Sequence, residues 1–106
     1  MFVVLWEFEV KAGSEPAFER VYGPQGNWVR LFRSGPHFQM TRLLQDTSLP
    51  GIYCTMDFWD SELAYNDFKN THREAYQALD QATQGLTLRE RHLGSFLQSE
   101  SASPSP

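Results

Sequence analysis

The order in which two-residue and helical periodicities follow one another limits the fold of this chain more than any other feature. Residues 2–10 (FVVLWEFEV) are rich in strand-forming residues, and their second half alternates, with Trp6 and Phe8 on one face and Glu7 and Glu9 on the other. Such alternation is typical of a strand with one buried face. The sequence therefore predicts that the fold begins with a half-buried strand.

A helix in two pieces is predicted after this strand. Ser14 is a suitable cap and Pro16 lies in the first turn, with apolar residues at helical spacing behind it. The segment GPQGN (23–27) interrupts the helix and WVRLF (28–32) resumes it.

The rest of the chain repeats the alternation of strands and helix. We predict two strands, residues 37–46 and 52–60, joined by a proline-bearing loop. A long helix follows, capped within residues 60–62 and reaching about residue 83, and residues 88–97 form the last strand. The order β-α-β-β-α-β predicts an α+β, ferredoxin-like fold, a four-stranded antiparallel sheet with two helices on one face.

The chain of 106 residues has the size of one domain. We assign that domain to residues 1–97. Residues 98–106 (QSESASPSP) contain Ser and Pro but no large apolar residue, which predicts a flexible tail.

The face of the sheet opposite the helices needs a partner or a polar surface. We expect the first strand to place Val3 and Leu5 on this outer face beside the acids Glu7 and Glu9, with Arg42 and Arg91 as possible partners of the acids. We also assign four residues of the third strand to this face: Tyr53, Thr55, Asp57 and Trp59. A half-apolar face predicts a homodimer, because large exposed apolar patches are uncommon on monomers.

Composition excludes several classes of function. The net charge is −4 and no basic run exceeds two residues, which disfavours a nucleic-acid surface. No segment approaches the roughly 20 apolar residues of a membrane span, and no signal peptide is recognised. Cys54 is the only cysteine, which is typical of a reducing compartment. We therefore expect a cytoplasmic protein that binds neither nucleic acid nor membrane.

A histidine interrupts the apolar stripe of the long helix. His72 falls among Tyr65, Phe68, Tyr76 and Leu79, which share one side of a helix. The imidazole is either a core residue, hydrogen-bonded to a tyrosine or a carbonyl, or a base that faces a cavity. The sequence leaves both interpretations open.

Three stretches carry a resemblance to a known family. VVLWEFEVKAG, YCTMDFWDSELAYNDF and GLTLRERHLGSF resemble the antibiotic biosynthesis monooxygenase domain, a dimeric α/β-barrel group, over residues 2–97. The resemblance implies a homodimer that binds flat aromatic ligands between sheet and helices. It also implies oxidation of a small aromatic or polycyclic phenol, quinol or anthrone by dioxygen, with no metal or other cofactor.

The resemblance also directs attention to particular side chains. His72 is the candidate base, and further residues would orient the substrate and stabilise its anion; these are Tyr65, Tyr76 and Trp6. The candidate substrate-binding walls are Phe8, Trp28, Phe32 and Phe68.

Two alternatives remain beside the oxygenase. One is a non-catalytic, dimeric module that binds a ligand in the same pocket. The other is the haem-degrading branch of the family, for which a histidine is expected near Gln77 or Ala78 and an asparagine at the position of Trp6. Neither is present, so haem is disfavoured. The three histidines also lack the spacing of metal ligands.

Overall fold

The computed structural model describes residues 1–99, which form one four-stranded antiparallel sheet with helices on one face. The spatial strand order is β2-β3-β1-β4, as in the predicted ferredoxin-like arrangement, and the sheet is open and does not close into a barrel. The strands are β1 (Phe2–Val10), β2 (Phe38–Gln45), β3 (Ile52–Trp59) and β4 (Thr87–Leu97). Part of the predicted tail, residues 100–106, lies outside the described residues.

The first helical region is divided as predicted. It consists of α1 (Glu15–Tyr22) and α2 (Asn27–Phe32). Gly26 lies at the junction, where a side chain does not fit: a Cβ at this position would stand 2.3 Å from the Val21 carbonyl oxygen. The close approach of backbone to backbone fixes the turn between the two helices.

The second helical region is also divided, which the sequence did not predict. It consists of α3 (Glu62–Thr71) and α4 (Arg73–Thr83), followed by a 3-10 turn (Gln84–Leu86). His72, with φ −110° and ψ 30°, leaves the helical conformation between them. The backbone N–H of His72 still donates to the Phe68 carbonyl at 2.9 Å, so the junction is a bend. The prediction of one continuous helix was wrong at this residue.

The core lies between the helices and the inner face of the sheet and is mainly aromatic. Phe18 and Tyr22 of α1 pack on Phe8 of β1, with ring centroids 5.2 and 4.8 Å away, and Trp59 is fully buried beside Phe68. Burial of each large apolar side chain contributes roughly 1.5–3 kcal/mol. This packing holds the helices against the sheet. Within residues 1–99, no helix has the length and apolar content to cross a membrane.

The inner face of β3 differs from our assignment. Directly paired residues of an antiparallel sheet point to the same side. Residues of β1 that face the helices pair with the four residues of β3 that we assigned to the outer face; the pairs are Phe2–Trp59, Val4–Asp57, Trp6–Thr55 and Phe8–Tyr53. That assignment was wrong, because alternation says which residues share a face and the register decides which face it is.

The outer face carries Val3, Leu5 and two acids of β1 as predicted. Glu7 pairs with Arg91 at 3.0 Å within the same chain. The contribution of β3 is the alternate set Ile52, Cys54, Met56 and Phe58. Met40, Leu44 and Phe96 are exposed on the neighbouring strands of this face.

Candidate functional site

A cavity lies between the inner face of the sheet and the helices. It has a volume of about 60 Å³ and opens to solvent. A space of this size holds a few water molecules, since about 10–15 Å³ is the least that holds one. Its lining comes from all four strands and from α1, α2 and α4: Trp6, Phe8, Tyr22, Trp28, Phe32, Thr41, Thr55, Asp57, Tyr76, Asp80 and Glu90.

Five of the eight predicted site residues line this cavity. Trp6 and Phe8 are neighbours on β1, with ring centroids 6.5 Å apart, and Trp28 and Phe32 lie one turn apart on α2 at 5.8 Å. Tyr76 of α4 closes the ring of aromatic side chains, with its centroid 5.0 Å from that of Trp28 in an edge-on contact. The cavity thus brings together three of the four predicted walls, Phe8, Trp28 and Phe32, with Trp6 and Tyr76.

Three predicted residues lie elsewhere, in a second aromatic cluster around Trp59. Tyr65 and Phe68 place their ring centroids 5.5 and 5.0 Å from Trp59. The His72 ring stacks on Phe68 at 4.7 Å and makes no side-chain hydrogen bond within residues 1–99. Residues 65, 68 and 72 lie before or at the bend and do not line the cavity, whereas Tyr76 on α4 does. The structure thus separates His72 from the site.

The cavity contains a buried carboxyl group that sequence reasoning missed. Asp57 on β3 is 9% exposed, and its Oδ1 accepts a hydrogen bond of 2.6 Å from the Thr41 hydroxyl of β2. Burial raises the pKa of Asp57 to about 6, and the Thr41 hydrogen bond opposes the rise. Asp57 was overlooked because its strand face was assigned to the outside. The sequence did contain a signal: Asp57 lies an even number of residues from Tyr53 and Trp59, so it shares a strand face with two large aromatic side chains.

Two tyrosine hydroxyls belong to the lining. The Tyr22 hydroxyl donates to Thr83 Oγ1 at 3.2 Å, and burial raises its pKa to about 12. Burial, followed by the charges of Tyr65 and Asp57, also raises the pKa of Tyr76. Both phenols therefore remain protonated near neutrality and can donate hydrogen bonds.

One further donor in the lining has no partner. Trp28 is 7% exposed, and its indole Nε1 is fully enclosed, with only a weak interaction with the Tyr22 hydroxyl and no regular hydrogen bond within residues 1–99. A buried N–H without a partner costs about 1–3 kcal/mol. Because the atom has no exposed surface, it faces the packed interior and not the open space of the cavity.

The mouth of the cavity is acidic. Asp80 of α4 is exposed, and Glu90 of β4 is half-buried. Burial raises the pKa of Glu90, and the charge of Asp80 raises it further, against the hydrogen bond from Thr87. Among the lining residues there is no Lys, Arg or His. Within residues 1–99, no three His, Cys, Asp or Glu side chains are grouped so that they could hold a metal ion.

Known structures share this fold at low sequence identity. The cofactor-independent oxygenase SnoaB from Streptomyces nogalater is 18% identical, with 94% of each chain covered and a TM-score of 0.69. A Deinococcus radiodurans protein assigned to the antibiotic biosynthesis monooxygenases is 12% identical over 100% of both chains, with a TM-score of 0.76. A variant of MhuD with two manganese protoporphyrin IX molecules bound per active site is 19% identical over 98% of this chain and 100% of that one, with a TM-score of 0.73.

The sequence identities to these structures are low, so the structures show only the fold. Sequence comparison identifies the family. No curated protein is significantly similar in sequence to this chain. The model of one family, however, matches residues 1–82, which is most of the chain. On that match, the protein belongs to the antibiotic biosynthesis monooxygenase family.

Proposed function

We propose that this protein is a cofactor-independent oxygenase that oxidises a small, single-ring phenol with dioxygen. The observation that carries the proposal is Asp57, a buried carboxyl with a pKa raised to about 6, in an aromatic cavity. A general base works best when its pKa lies near the working pH. Asp57 takes the role that the sequence analysis gave to His72.

The first step is removal of the phenol proton. Asp57 Oδ1 is engaged by Thr41, and Oδ2 makes no hydrogen bond within residues 1–99, so Oδ2 accepts the proton. The phenolate oxygen then accepts a hydrogen bond from a donor in the lining, the Tyr76 hydroxyl. Donors aimed at developing negative charge in a site with little water supply much of the stabilisation in such reactions.

The second step is oxidation of the anion by dioxygen. The electron-rich phenolate reduces dioxygen directly, and one oxygen atom bonds to the ring carbon para to the hydroxyl. That carbon loses its hydrogen and becomes a carbonyl, which gives a quinone. The second oxygen atom leaves as water with this hydrogen and the proton held on Asp57. Dioxygen is thus the oxidant and the source of the new oxygen atom.

The size of the cavity favours one ring. A space of about 60 Å³ is less than half of a cavity of about 150 Å³ that binds benzene, so a single ring already fills it and extends into the open mouth. A polycyclic substrate would require displacement of the aromatic walls. The proposed substrate is therefore monocyclic, narrower than the class implied by family resemblance.

We propose that the working form is a homodimer in which two outer faces meet. The exposed Met40, Leu44 and Phe96 give this face apolar area that a second copy would cover. The Glu7–Arg91 and Glu9–Arg89 pairs supply polar contacts on the same face.

Haem does not fit the residues present. None of His37, His72 and His92 lines the cavity, and a space of about 60 Å³ is far smaller than a porphyrin. The alternative of a non-catalytic module that binds a ligand in the same cavity remains, and it predicts binding of a phenol without consumption of oxygen.

Oxygen uptake with a single-ring substrate tests the proposal. Guaiacol, an electron-rich phenol with hydrogen on its para carbon, is supplied to the chelator-treated and flavin-free protein, and labelled dioxygen is used to follow the oxygen atom. We expect uptake, label in the quinone, and a loss of about 10²–10⁴-fold in the Asp57→Asn variant. Binding of guaiacol without uptake would replace the oxygenase with the binding module.

A further inference from the structure

One buried polar side chain of the cavity has no part in the proposed reaction. Thr55 is 3% exposed, lies in the middle of β3 and lines the cavity two residues from Asp57. We infer that the Thr55 hydroxyl binds a second oxygen of the substrate, meta to the hydroxyl that meets Asp57, so that the site selects a 1,3-dihydroxybenzene of the resorcinol type. This inference rests on the proposed function, because it names the substrate class of the same site.

Thr55 is the exception among the buried polar side chains. Those buried within residues 1–99 are Thr41, Thr55, Asp57, Thr83 and Thr87. The Thr41 hydroxyl donates to Asp57, and the hydroxyls of Thr83 and Thr87 each donate to a backbone carbonyl. The Thr55 side chain makes no hydrogen bond within residues 1–99. Buried hydroxyls nearly always have a partner, so a ligand group is the explanation that a cavity beside Thr55 offers.

The sheet around Thr55 provides no partner for its hydroxyl. Thr55 lies opposite Trp6 of β1 in one ladder and opposite Leu43 of β2 in the other. The Leu43 side chain has no polar atom, and the Trp6 indole makes no hydrogen bond with Thr55 within residues 1–99. Two residues along the strand, Asp57 Oδ1 is already engaged by Thr41. The hydroxyl is therefore left for a group outside the sheet.

The oxygen of Thr55 faces the open space of the cavity. Within residues 1–99, the buried side-chain polar atoms that are both fully enclosed and without a hydrogen bond are the indole nitrogens of Trp28 and Trp59. The Thr55 oxygen also lacks a hydrogen bond but is not one of these enclosed atoms. Because β3 is flanked by β2 and β1, the space that this oxygen meets is the cavity that Thr55 lines. A ligand can thus reach it, which is not the case for the Trp28 nitrogen.

The spacing of Thr55 and Asp57 determines where the second oxygen lies on the ring. Two residues apart on one strand, they point to the same face at a separation of about 6.5 Å. Two oxygens in meta positions leave one side of a ring and diverge, so one meets Asp57 Oδ2 and the other meets the Thr55 hydroxyl. Ortho oxygens lie side by side and para oxygens leave opposite ends of the ring, so both fit this spacing less well.

A second hydroxyl at the meta position also suits the proposed reaction. It is ortho to the carbon that lies para to the first hydroxyl, so it donates electron density to the carbon that bonds to dioxygen. That carbon still carries the hydrogen that it has to lose. The covalent step is unchanged, with dioxygen as the oxidant and water as the second product, and the organic product is a hydroxy-substituted para-quinone.

Binding under nitrogen tests the inference without any oxidation. The probes are resorcinol, catechol, which moves the second hydroxyl to the ortho position, and meta-cresol, which replaces it by a methyl group. Calorimetric titration should give resorcinol a dissociation constant at least about fivefold below that of catechol, which corresponds to about 1 kcal/mol for one hydrogen bond. Catechol is the stricter comparison, because it has the same number of hydroxyl groups as resorcinol.

Matched variants assign the preference to the Thr55 hydroxyl. In Thr55→Val, a methyl group replaces the hydroxyl in a side chain of similar shape, and resorcinol should lose at least about fivefold in affinity relative to both catechol and meta-cresol. Thr55→Ala removes the hydroxyl in a second way and should give the same loss, whereas Thr55→Ser keeps the hydroxyl and should stay within about twofold of the original. Thr71→Val, an exposed change on α3 outside the cavity, should leave all three affinities unchanged. Thermal melts check folding.

Each outcome decides the inference separately from the reaction. Equal binding of resorcinol and catechol, or a preference that survives in both Thr55→Val and Thr55→Ala, overturns the inference, and oxygen uptake with guaiacol can still support the oxygenase. A preference that depends on Thr55, without oxygen uptake, supports the resorcinol site and refutes the oxygenase. If none of the three probes binds, the inference fails, and the uptake assay decides the oxygenase by itself.

Discussion

The hydroxyl of Thr41 donates a 2.6 Å hydrogen bond to Asp57 Oδ1 across the β2–β3 ladder. Within residues 1–99, the buried carboxyl accepts no other side-chain hydrogen bond. The bond holds one oxygen and leaves the other toward the cavity. It also moderates the effect of burial, so the pKa of Asp57 is raised only to about 6. Thr41 is thus a positioning residue for the proposed base.

Replacement of Asp57 should stabilise the protein while it removes activity. The folded chain holds the Asp57 proton more tightly than the unfolded chain, because the pKa rises from 3.8 to about 6 on folding. Stability is therefore lost as the pH rises through this window, and the loss above it is up to about 3 kcal/mol. In Asp57→Asn, whose amide oxygen still accepts from Thr41, the free energy of unfolding should rise by up to that amount at pH 7, measured by urea denaturation.

The gain should disappear at low pH. Near pH 4 Asp57 is already protonated in the fold, so the variant and the original protein should then agree more closely. Asp67→Asn, an exposed change on α3, should alter stability by less than about 0.5 kcal/mol at either pH. If Asp57→Asn were less stable than the original protein at pH 7, burial of the charged Asp57 carboxylate would not destabilise the fold as proposed.

Loss of the Thr41 hydroxyl should move the pH dependence of turnover. The Thr41 hydrogen bond lowers the pKa of Asp57, so Thr41→Val should raise this pKa further, by about one to two units, since a hydrogen bond to a charged group contributes about 1.5–3 kcal/mol. The acid limb of kcat/KM should shift to higher pH by that amount. Burial, with the charge of Asp57, raises the pKa values of Tyr65 and Tyr76, so both stay neutral in this range.

Rescue by a conservative change separates this effect from a general loss of packing. Thr41→Ser keeps the donor and should keep the original pH profile. The other acids near the site, Asp80 and Glu90, remain in both variants, so they do not account for a difference between them. Equal profiles for the valine and serine variants would show that Thr41 does not set the pKa of Asp57.

Much of this fold followed from local patterns, and the site followed only in part. The alternation in β1 and the interruption at residues 23–27 are local features, so the strand face and the split first helix were predicted correctly. The face of β3 depends on its register with β1, a long-range property that alternation within one strand does not contain. For that reason Asp57 was missed, although three of the four predicted aromatic walls line the cavity and Phe68 does not.

The position of His72 has a similar explanation. In an unbroken helix, His72 would lie on the same face as Tyr65 and Tyr76. The residues around it contain no proline or glycine that would announce the bend. The non-helical φ/ψ pair lies at residue 72, between Tyr65, which packs on Trp59, and Tyr76, which lines the cavity.

The two tyrosines on this stripe provide a matched pair of variants. Tyr76→Phe removes a hydroxyl from the cavity and keeps the ring contact with Trp28, whereas Tyr65→Phe removes a hydroxyl from the other cluster. We expect kcat to fall about 10- to 150-fold for the first, the effect of one lost hydrogen bond of about 1.5–3 kcal/mol to the charged phenolate, and less than twofold for the second. Oxygen uptake measures both. Equal losses would show that Tyr76 has no special role.

His72→Ala should leave turnover within about twofold of the original, because the ring lies outside the cavity and makes no side-chain hydrogen bond within residues 1–99. Its contact with Phe68 should instead appear in stability, as a loss of about 0.5–1.5 kcal/mol in urea denaturation. A loss of turnover of 10²-fold or more, of the order associated with a missing general base, would return the role of base to His72 and remove it from Asp57.

The outer face of the sheet should control assembly. Leu44 on β2 is 47% exposed there, beside Cys54 of β3, and a second copy of the chain would cover it. Leu44→Lys places a charge in the proposed dimer contact and should raise the dissociation constant of the dimer at least about tenfold, since an unpaired buried charge costs well over 1.4 kcal/mol. Leu63→Lys is the matched control, because Leu63 is 70% exposed on α3, outside the outer face, and should leave assembly unchanged.

Light scattering on a size-exclusion column at micromolar concentration measures the assembly of both variants. A monomer in the original protein, or equal behaviour of the two lysine variants, would remove the outer face from the assembly.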